Sequence, residues 1–234
     1  MRKITILWLY PDLLDLYGDW GNLLLLRNRL EGMGISVEII QNSLDDIPDF
    51  SAADLIYIGP GKDHYLQLAA GHLITYKKQI RDAVENHRVF LVTGNARLLF
   101  GKQFYTCDNR LIHGLNLFSY TGALQQQVSA GDIYAKTAHF LPQKSYGFLN
   151  RTAFLTDNSG PYLFEILEGD CLGEPVFEGT HYKNFYATWL LGPVLVKNPH
   201  LARELLLLLA GKDFIPYDDS LERLALDRTL SCTC

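Results

Sequence analysis

Cysteine and methionine are scarce in this chain, with four and two among 234 residues. Cys107 and Cys171 stand alone, and Cys232-Thr233-Cys234 closes the sequence with no histidine or second cysteine pair beside it. A closed zinc site needs four ligands, so neither a structural metal nor a disulfide framework is expected, and the thiols read as surface groups in a reducing compartment. Positive charge is not in excess either. The formal net charge is −5, with Lys and Arg scattered, which argues against a nucleic-acid or anionic-membrane partner. No apolar run approaches the roughly 18–20 residues of a membrane span. The longest, Leu205–Leu209, lies between Arg203-Glu204 and Lys212-Asp213. Met1-Arg2-Lys3 leads into Ile4–Tyr10, which has no small-residue cleavage site and is interrupted by Pro11-Asp12. That segment reads as a first strand and not as a signal peptide. The expectation is a soluble, cytoplasmic protein without membrane insertion.

What the sequence does have is alternation. Ile4–Tyr10 is a run apolar but for Thr5, with β-branched members, that suits a strand buried on both faces. Asn22–Met33 carries leucines on one face and Arg27, Asn28, Arg29 and Glu31 on the other, and Gly34 ends it as a C-cap. Ser36–Gln41 and Asp54–Gly59 read as further strands, Leu73–Asn86 as a helix and Val89–Thr93 as a fourth strand. Strands separated by helices imply right-handed βαβ units and a mostly parallel twisted sheet with helices on both faces. After Gly101, short β-like pieces appear at Leu115–Phe118, Asp132–Ala138, Arg151–Leu155, Tyr162–Leu167, Val176–Glu178 and Phe185–Trp189. They suit an antiparallel extension. Pro199 opens a last clear helix, Pro199–Ala210, closed by Gly211, and Asp218–Arg228 is a polar, mildly helical tail. No repeat or linker divides the chain, so residues 1–234 are read as a single domain, long enough to bury a full core.

Sites in open parallel sheets form beyond the carboxyl ends of the strands. There lie Tyr10–Asn22 after the first strand, Gly59-Pro60-Gly61-Lys62-Asp63 after the third and Thr93–Gly101 after the fourth. Glycines at Gly59 and Gly61 let the backbone approach a ligand and offer amide donors, although turn glycines are the plainer local reading. Gly94-Asn95, between a strand and a short helix, has the outline of a nucleophile elbow whose apex carries no nucleophile.

These segments resemble a known family. LYPDLLDLYGDWGN (Leu9–Asn22) resembles the opening motif of the glutaminase subunits of lipid II isoglutaminyl synthases, class I (triad-type) glutamine amidotransferases akin to the amidotransferase domain of cobyric acid synthase. Gly59–Asp63 is similar to that family's glycine-rich oxyanion loop and Leu111–Phe118 to its GLGL segment. Gly147-Phe148-Leu149-Asn150 is similar to its GFENH segment, and Ala187–Pro199 to its GTYLHGPLLPKNP signature. The resemblance implies a flavodoxin-like α/β fold and no cofactor. It also implies a Mur-ligase-like ATP-dependent synthetase as partner in a heterodimer.

The departures fall on the chemistry. Aligned on Gly101, Gly94 stands where the family has its nucleophilic Cys, Asn95 and Ala96 fill the two small positions, and Leu98 replaces a Gln. Leu191 stands where the catalytic His precedes Gly-Pro, and Phe154 where a substrate-handling Arg is expected. Amide hydrolysis by this route needs a thiolate and an imidazole that protonates the leaving ammonia. In serine proteases, removing members of the analogous triad lowers turnover roughly 10⁴- to 10⁶-fold. Substitutes are few. Thr93 precedes the apex with no identifiable base, and Cys107 has only His113 nearby in sequence. His139 and His181 read as structural, and His64, His72, His87 and His200 as surface or helix-end residues.

Three functions follow as expectations. The first is a non-catalytic amidotransferase-like subunit that scaffolds or activates a synthetase. The second is a working glutaminase whose missing groups lie elsewhere or come from a partner chain, supplying ammonia for amidation of a peptidoglycan precursor or related metabolite. The third is a small-molecule-binding module using the old glutamine pocket, with Gly59, Pro60, Gly61, Asn95 and Arg97 as its lining; there Arg97 would hold a carboxylate, although an exposed helix arginine is the commoner reading.

Overall fold

The computed structural model describes residues 2–169 and 177–231. Cys171, Val176, Cys232 and Cys234 lie outside the described residues, and with them part of the expected Val176–Glu178 strand and the Cys-x-Cys tail. The first half builds a parallel sheet from β1 (Lys3–Leu9), β2 (Ser36–Asn42), β3 (Leu55–Ile58) and β4 (Val89–Thr93). Every residue of β3 and β4 is buried, as is most of β1. This is what an apolar run with β-branched members requires when both faces are covered. Between these strands come α1 (Gly21–Gly32), α2 (Asp63–Leu73) and α3 (Lys77–Glu85). Helix α1 packs Leu23, Leu26 and Leu30 into the core.

The expected Leu73–Asn86 helix is a 3₁₀ turn at Ile74–Tyr76 followed by α3, and the turn joins α3 to α2, a helix beginning at Asp63 that the sequence pattern does not signal. The start was hidden because Gly61-Lys62 reads as loop and Gly71 weakens the helical pattern. Asp63 at the first turn is favourable to the helix dipole.

Beyond a 3₁₀ segment at Gly94–Phe100 the chain enters a second sheet. It contains β5 (Gln103–Tyr105), β6 (Leu111–His113), β7 (Thr121–Thr137), β8 (Lys144–Thr156), β9 (Phe164–Gly169) and β10 (Phe177–Glu178). Its spine is the long antiparallel β7–β8 hairpin, whose register slips between Leu124 and Ser129. Leu115–Phe118, expected as a strand, is a loop. Its amides bond carbonyls of Leu99, Phe100 and Gly101, so no strand ladder forms there.

The chain then returns through β11 (Thr180–Tyr182), β12 (Phe185–Thr188), β13 (Leu190–Leu191), α4 (Val194–Lys197), α5 (Pro199–Ala210) and α6 (Ser220–Ser231). Phe185–Thr188 corrects a second expectation. It is not part of the antiparallel extension but pairs parallel with β4, as the fifth parallel strand of the first sheet. That sheet has the order β11-β12-β4-β3-β1-β2, with only the edge strand β11 antiparallel. Its four fully buried residues left no polar–apolar alternation by which to assign it. The next strand, β13, crosses to the second sheet, pairing Leu190 with Leu149 and Leu191 with Phe148. Helix α5 occupies the expected residues, opened by Pro199 and followed by Gly211 at φ +54°. Helix α6 is tied down by Arg29–Glu222 and by Asp219, which Arg203 and Arg223 share. No helix among the described residues is long and apolar enough to cross a membrane.

Candidate functional site

The carboxyl ends of β1, β3 and β4 meet at a crevice of about 300 Å³, whose walls include Tyr17, Pro60, Gly61, Asn95, Arg151 and Leu191. Its floor is an elbow. Thr93 leaves β4 in extended conformation and Gly94 turns the chain with φ +60°, starting the 3₁₀ segment. That left-handed turn costs a side chain about 1–2 kcal/mol, and space is also lacking. A Cβ on Gly94 would stand 2.6 Å from Pro60 Cβ and 3.2 Å from Leu191 Cδ2. The fold therefore brings Gly94, Pro60 and Leu191 together at one point, and all three are inert towards an amide. Leu191 is buried, 3% exposed.

The glycine-rich loop approaches closely because it must. A Cβ on Gly61 would fall 2.2 Å from Leu14 Cδ2 and 2.8 Å from Leu13 O. Its amide, however, is not free to meet a ligand. Gly61 N–H donates to Asn95 Oδ1 at 3.0 Å, and Asn95 Nδ2 donates to Gly61 O at 2.6 Å and to Asp63 Oδ1 at 3.3 Å. Pro60 has no N–H to offer, and its carbonyl accepts from Leu16 N–H at 3.0 Å.

Beneath the elbow lies a buried polar knot that the sequence reading missed. Asp19 is fully buried, and its Oδ2 accepts from Tyr57 O–H at 2.6 Å, Thr93 Oγ1–H at 2.5 Å and Asn22 Nδ2–H at 3.1 Å. Burial raises the Asp19 carboxyl pKa against the opposing pull of these donors. Burial likewise raises the Tyr57 hydroxyl, with Asp19 adding to the effect. Asn22 accepts from Leu195 N–H at 2.8 Å, tying the start of α1 to α4. Thr93 thus does have a carboxylate partner, contrary to expectation, but with 0% exposure it is sealed below the crevice floor and meets no ligand. The acidic Tyr10–Asn22 loop is an internal brace at Asp19 and Asn22. Its outer side shows Tyr17 and Trp20, 58% and 43% exposed.

Residues 5–199 match the CobB/CobQ-like glutamine amidotransferase domain. The chain belongs to this family. Among curated relatives it is similar to the lipid II isoglutaminyl synthase (glutamine-hydrolyzing) subunit GatD of Streptococcus pneumoniae (strain ATCC BAA-255 / R6). That pair is 31% identical over 207 residues, covering 87% of this chain and 79% of the relative. Its similarity to the same-named subunit of Staphylococcus aureus (strain N315) is 29% over 221 residues, 93% of this chain and 89% of the relative. Two solved structures share the fold at 15% identity. A glutamine amidotransferase crystal structure gives a TM-score of 0.56 over 88% of this chain and 99% of its own. PurLQS from Thermotoga maritima gives 0.52 over 98% and 100%. The mostly parallel sheet is thus the class I glutamine amidotransferase fold.

Within this CobB/CobQ-like amidotransferase frame, other expected site residues lie apart. Arg97 is neither a crevice contact nor an exposed helix arginine. It is 1% exposed and donates to Gly179 O at 2.7 Å and Thr180 Oγ1 at 3.0 Å. Its guanidinium also faces Glu178 at 3.8 Å and lies over the Tyr120 ring. Glu178 accepts from Trp189 N–H and Thr188 Oγ1–H, both at 2.7 Å, and its pKa is raised by burial against the pull of Arg97. Phe154 is 39% exposed, at a neighbouring cavity it shares with Arg97, Arg151 and Glu178.

Cys107 is exposed in the loop closing the β5–β6 hairpin, while His113 pairs with Gln103 at the opposite end. The hairpin holds the two apart, so the suspected dyad does not form. His181 is stacked on Tyr186 and packed against Phe140, as expected of a structural residue, and burial lowers its pKa. His139 is exposed and not so packed. His72 bonds the Tyr10 hydroxyl at 2.9 Å, and His64 and His87 are exposed. His200, in the first turn of α5, bonds Ser145 at 2.8 Å, and burial lowers its pKa to about 4. Asp19, Asn22 and Glu178 carry no local signal of burial, whereas Tyr57 lies in the apolar strand expected at Asp54–Gly59. Only the position of Asp19 and Asn22 inside the quoted GDWGN stretch marked them out.

Proposed function

We propose that this chain is a non-catalytic amidotransferase-like subunit, one domain spanning residues 1–234, that scaffolds or activates a Mur-ligase-like ATP-dependent synthetase in a cytoplasmic heterodimer. The observation that carries the reading is the packing at the elbow, where a Cβ on Gly94 would stand 3.2 Å from Leu191 Cδ2, closer than ordinary van der Waals contact. In this reading they occupy the positions of nucleophile and base. Glycine has nothing with which to attack a carboxamide, and leucine neither takes a proton nor gives one to departing ammonia. Apolar Leu191 also fills its site, and the floor packs around Gly94 as though no side chain were to return.

The partner is supported by the names of the relatives, both called subunits of a glutamine-hydrolyzing synthase. A synthetase bound to this chain would draw on free ammonia or another amine. The test is co-expression with a ligase-like synthetase, followed by co-purification and an assay for glutamate released from glutamine. A stable complex that releases none supports the reading. Glutamate release that persists in Cys107→Ala and Thr93→Ala complexes and needs the partner would replace it with a glutaminase completed in trans.

A further inference from the structure

Asn95 makes a contact that the loss of a nucleophile does not by itself explain. Its carboxamide accepts from the Gly61 N–H at 3.0 Å and donates to the Gly61 carbonyl at 2.6 Å. This is the two-point pairing that a primary carboxamide arriving from outside would make with an exposed peptide unit. Pro60 contributes no donor, so Gly61 supplies the amide that faces this part of the crevice. The same side chain reaches Asp63 Oδ1 at 3.3 Å and so fastens the elbow to the first turn of α2.

We propose that Asn95 is a built-in ligand of this crevice: its own carboxamide occupies the Gly61 donor–acceptor pair and closes the site to small carboxamides. The proposal rests on the non-catalytic reading and deepens it, since a crevice that cannot turn over glutamine gains by not binding it. An external ligand must displace a preorganised intramolecular partner, which costs it at least one hydrogen bond. Removing the Asn95 side chain returns both groups of Gly61 to solvent and to any ligand of matching shape.

The experiment is a titration of the full-length chain with L-glutamine and with L-glutamate, followed by the ¹⁵N–¹H resonance of Gly61 and by calorimetry. In the wild type the Gly61 amide is protected from hydrogen exchange and does not move on adding either amino acid. In Asn95→Gly that protection is lost, and glutamine binds at least about tenfold more tightly than to the wild type, the ratio that about 1.4 kcal/mol supplies. Asn95→Ala gives the same gain and guards against a variant that folds poorly. Wild-type binding of glutamine with a shift at Gly61, or no gain in either folded variant, overturns the proposal. Glutamate release is assayed on the same samples. Release by the wild type refutes the non-catalytic reading, whereas its absence together with no gain on removing Asn95 refutes the built-in ligand alone.

Discussion

Leu191 Cδ2 stands 3.2 Å from the point where a Cβ on Gly94 would sit. The two residues come from different sheets, Gly94 from the end of β4 and Leu191 from β13 beside β8. Their meeting is a product of the whole topology and not of local sequence.

That contact makes Gly94 intolerant of substitution. Gly94→Ala adds a Cβ in a left-handed conformation and against Pro60, so it should cost about 2–4 kcal/mol from backbone strain and overpacking together. Urea denaturation of the two proteins checks this, and a loss below about 0.5 kcal/mol would mean that the floor is loosely packed.

Restoring the two missing groups should not restore chemistry. The double variant Gly94→Cys/Leu191→His meets the same Pro60 contact, and Asn95 still holds the Gly61 amide that would stabilise an oxyanion. Glutamate release is expected to stay at the uncatalysed background. A third change, Asn95→Gly, is the one expected to raise it.

The Asp19 knot should give stability a particular pH dependence. Burial holds this carboxyl above its ordinary value, so the folded state binds the proton more tightly than the unfolded chain. Its contribution is therefore full below the unfolded pKa of about 3.9 and is lost as pH rises through the folded pKa. Asp19→Asn cannot ionise and removes that loss. Wild-type stability minus variant stability, measured by denaturant at a series of pH values, should fall from pH 4 upward. A difference that rises with pH would show that the hydrogen bonds from Thr93 and Tyr57 outweigh burial.

Arg97 is expected to matter for folding and not for binding. Arg97→Met leaves Glu178 buried without its counter-charge, and breaking a buried pair from one side costs about 3–5 kcal/mol. Pairing it with Glu178→Gln should recover part of that loss. Equal stability of wild type and single variant would contradict the buried role.

How much of this could be read from the chain follows from what each residue depends on. β4 and α5 occupy the expected residues, one from an unbroken apolar run and the other from Pro199 and Gly211 as punctuation. The start of α2 was lost behind a glycine-rich loop. The parallel pairing of Phe185–Thr188 was lost because four buried residues carry no periodicity that assigns a sheet. Within the site, the sequence pointed to Gly94 and Leu191 through motif order, and the fold places them side by side. Arg97, weighed as a crevice contact or an exposed helix arginine, is buried against Gly179 and Thr180, and the Gly61 amide is paired with Asn95. Whether an arginine lines a pocket or a core, and whether an asparagine faces solvent or a neighbouring loop, is decided by chain segments far away. Gly179 and Thr180 make that decision for Arg97, and Gly61 makes it for Asn95.

The most direct measurement is the rate at which the intact chain, alone and bound to a ligase-like synthetase, releases glutamate from glutamine. The expected result is a rate no greater than that of the synthetase by itself, with the complex intact. Glutamate formed at an enzymatic rate that depends on this chain would contradict the central claim, whichever residue proved to supply the nucleophile.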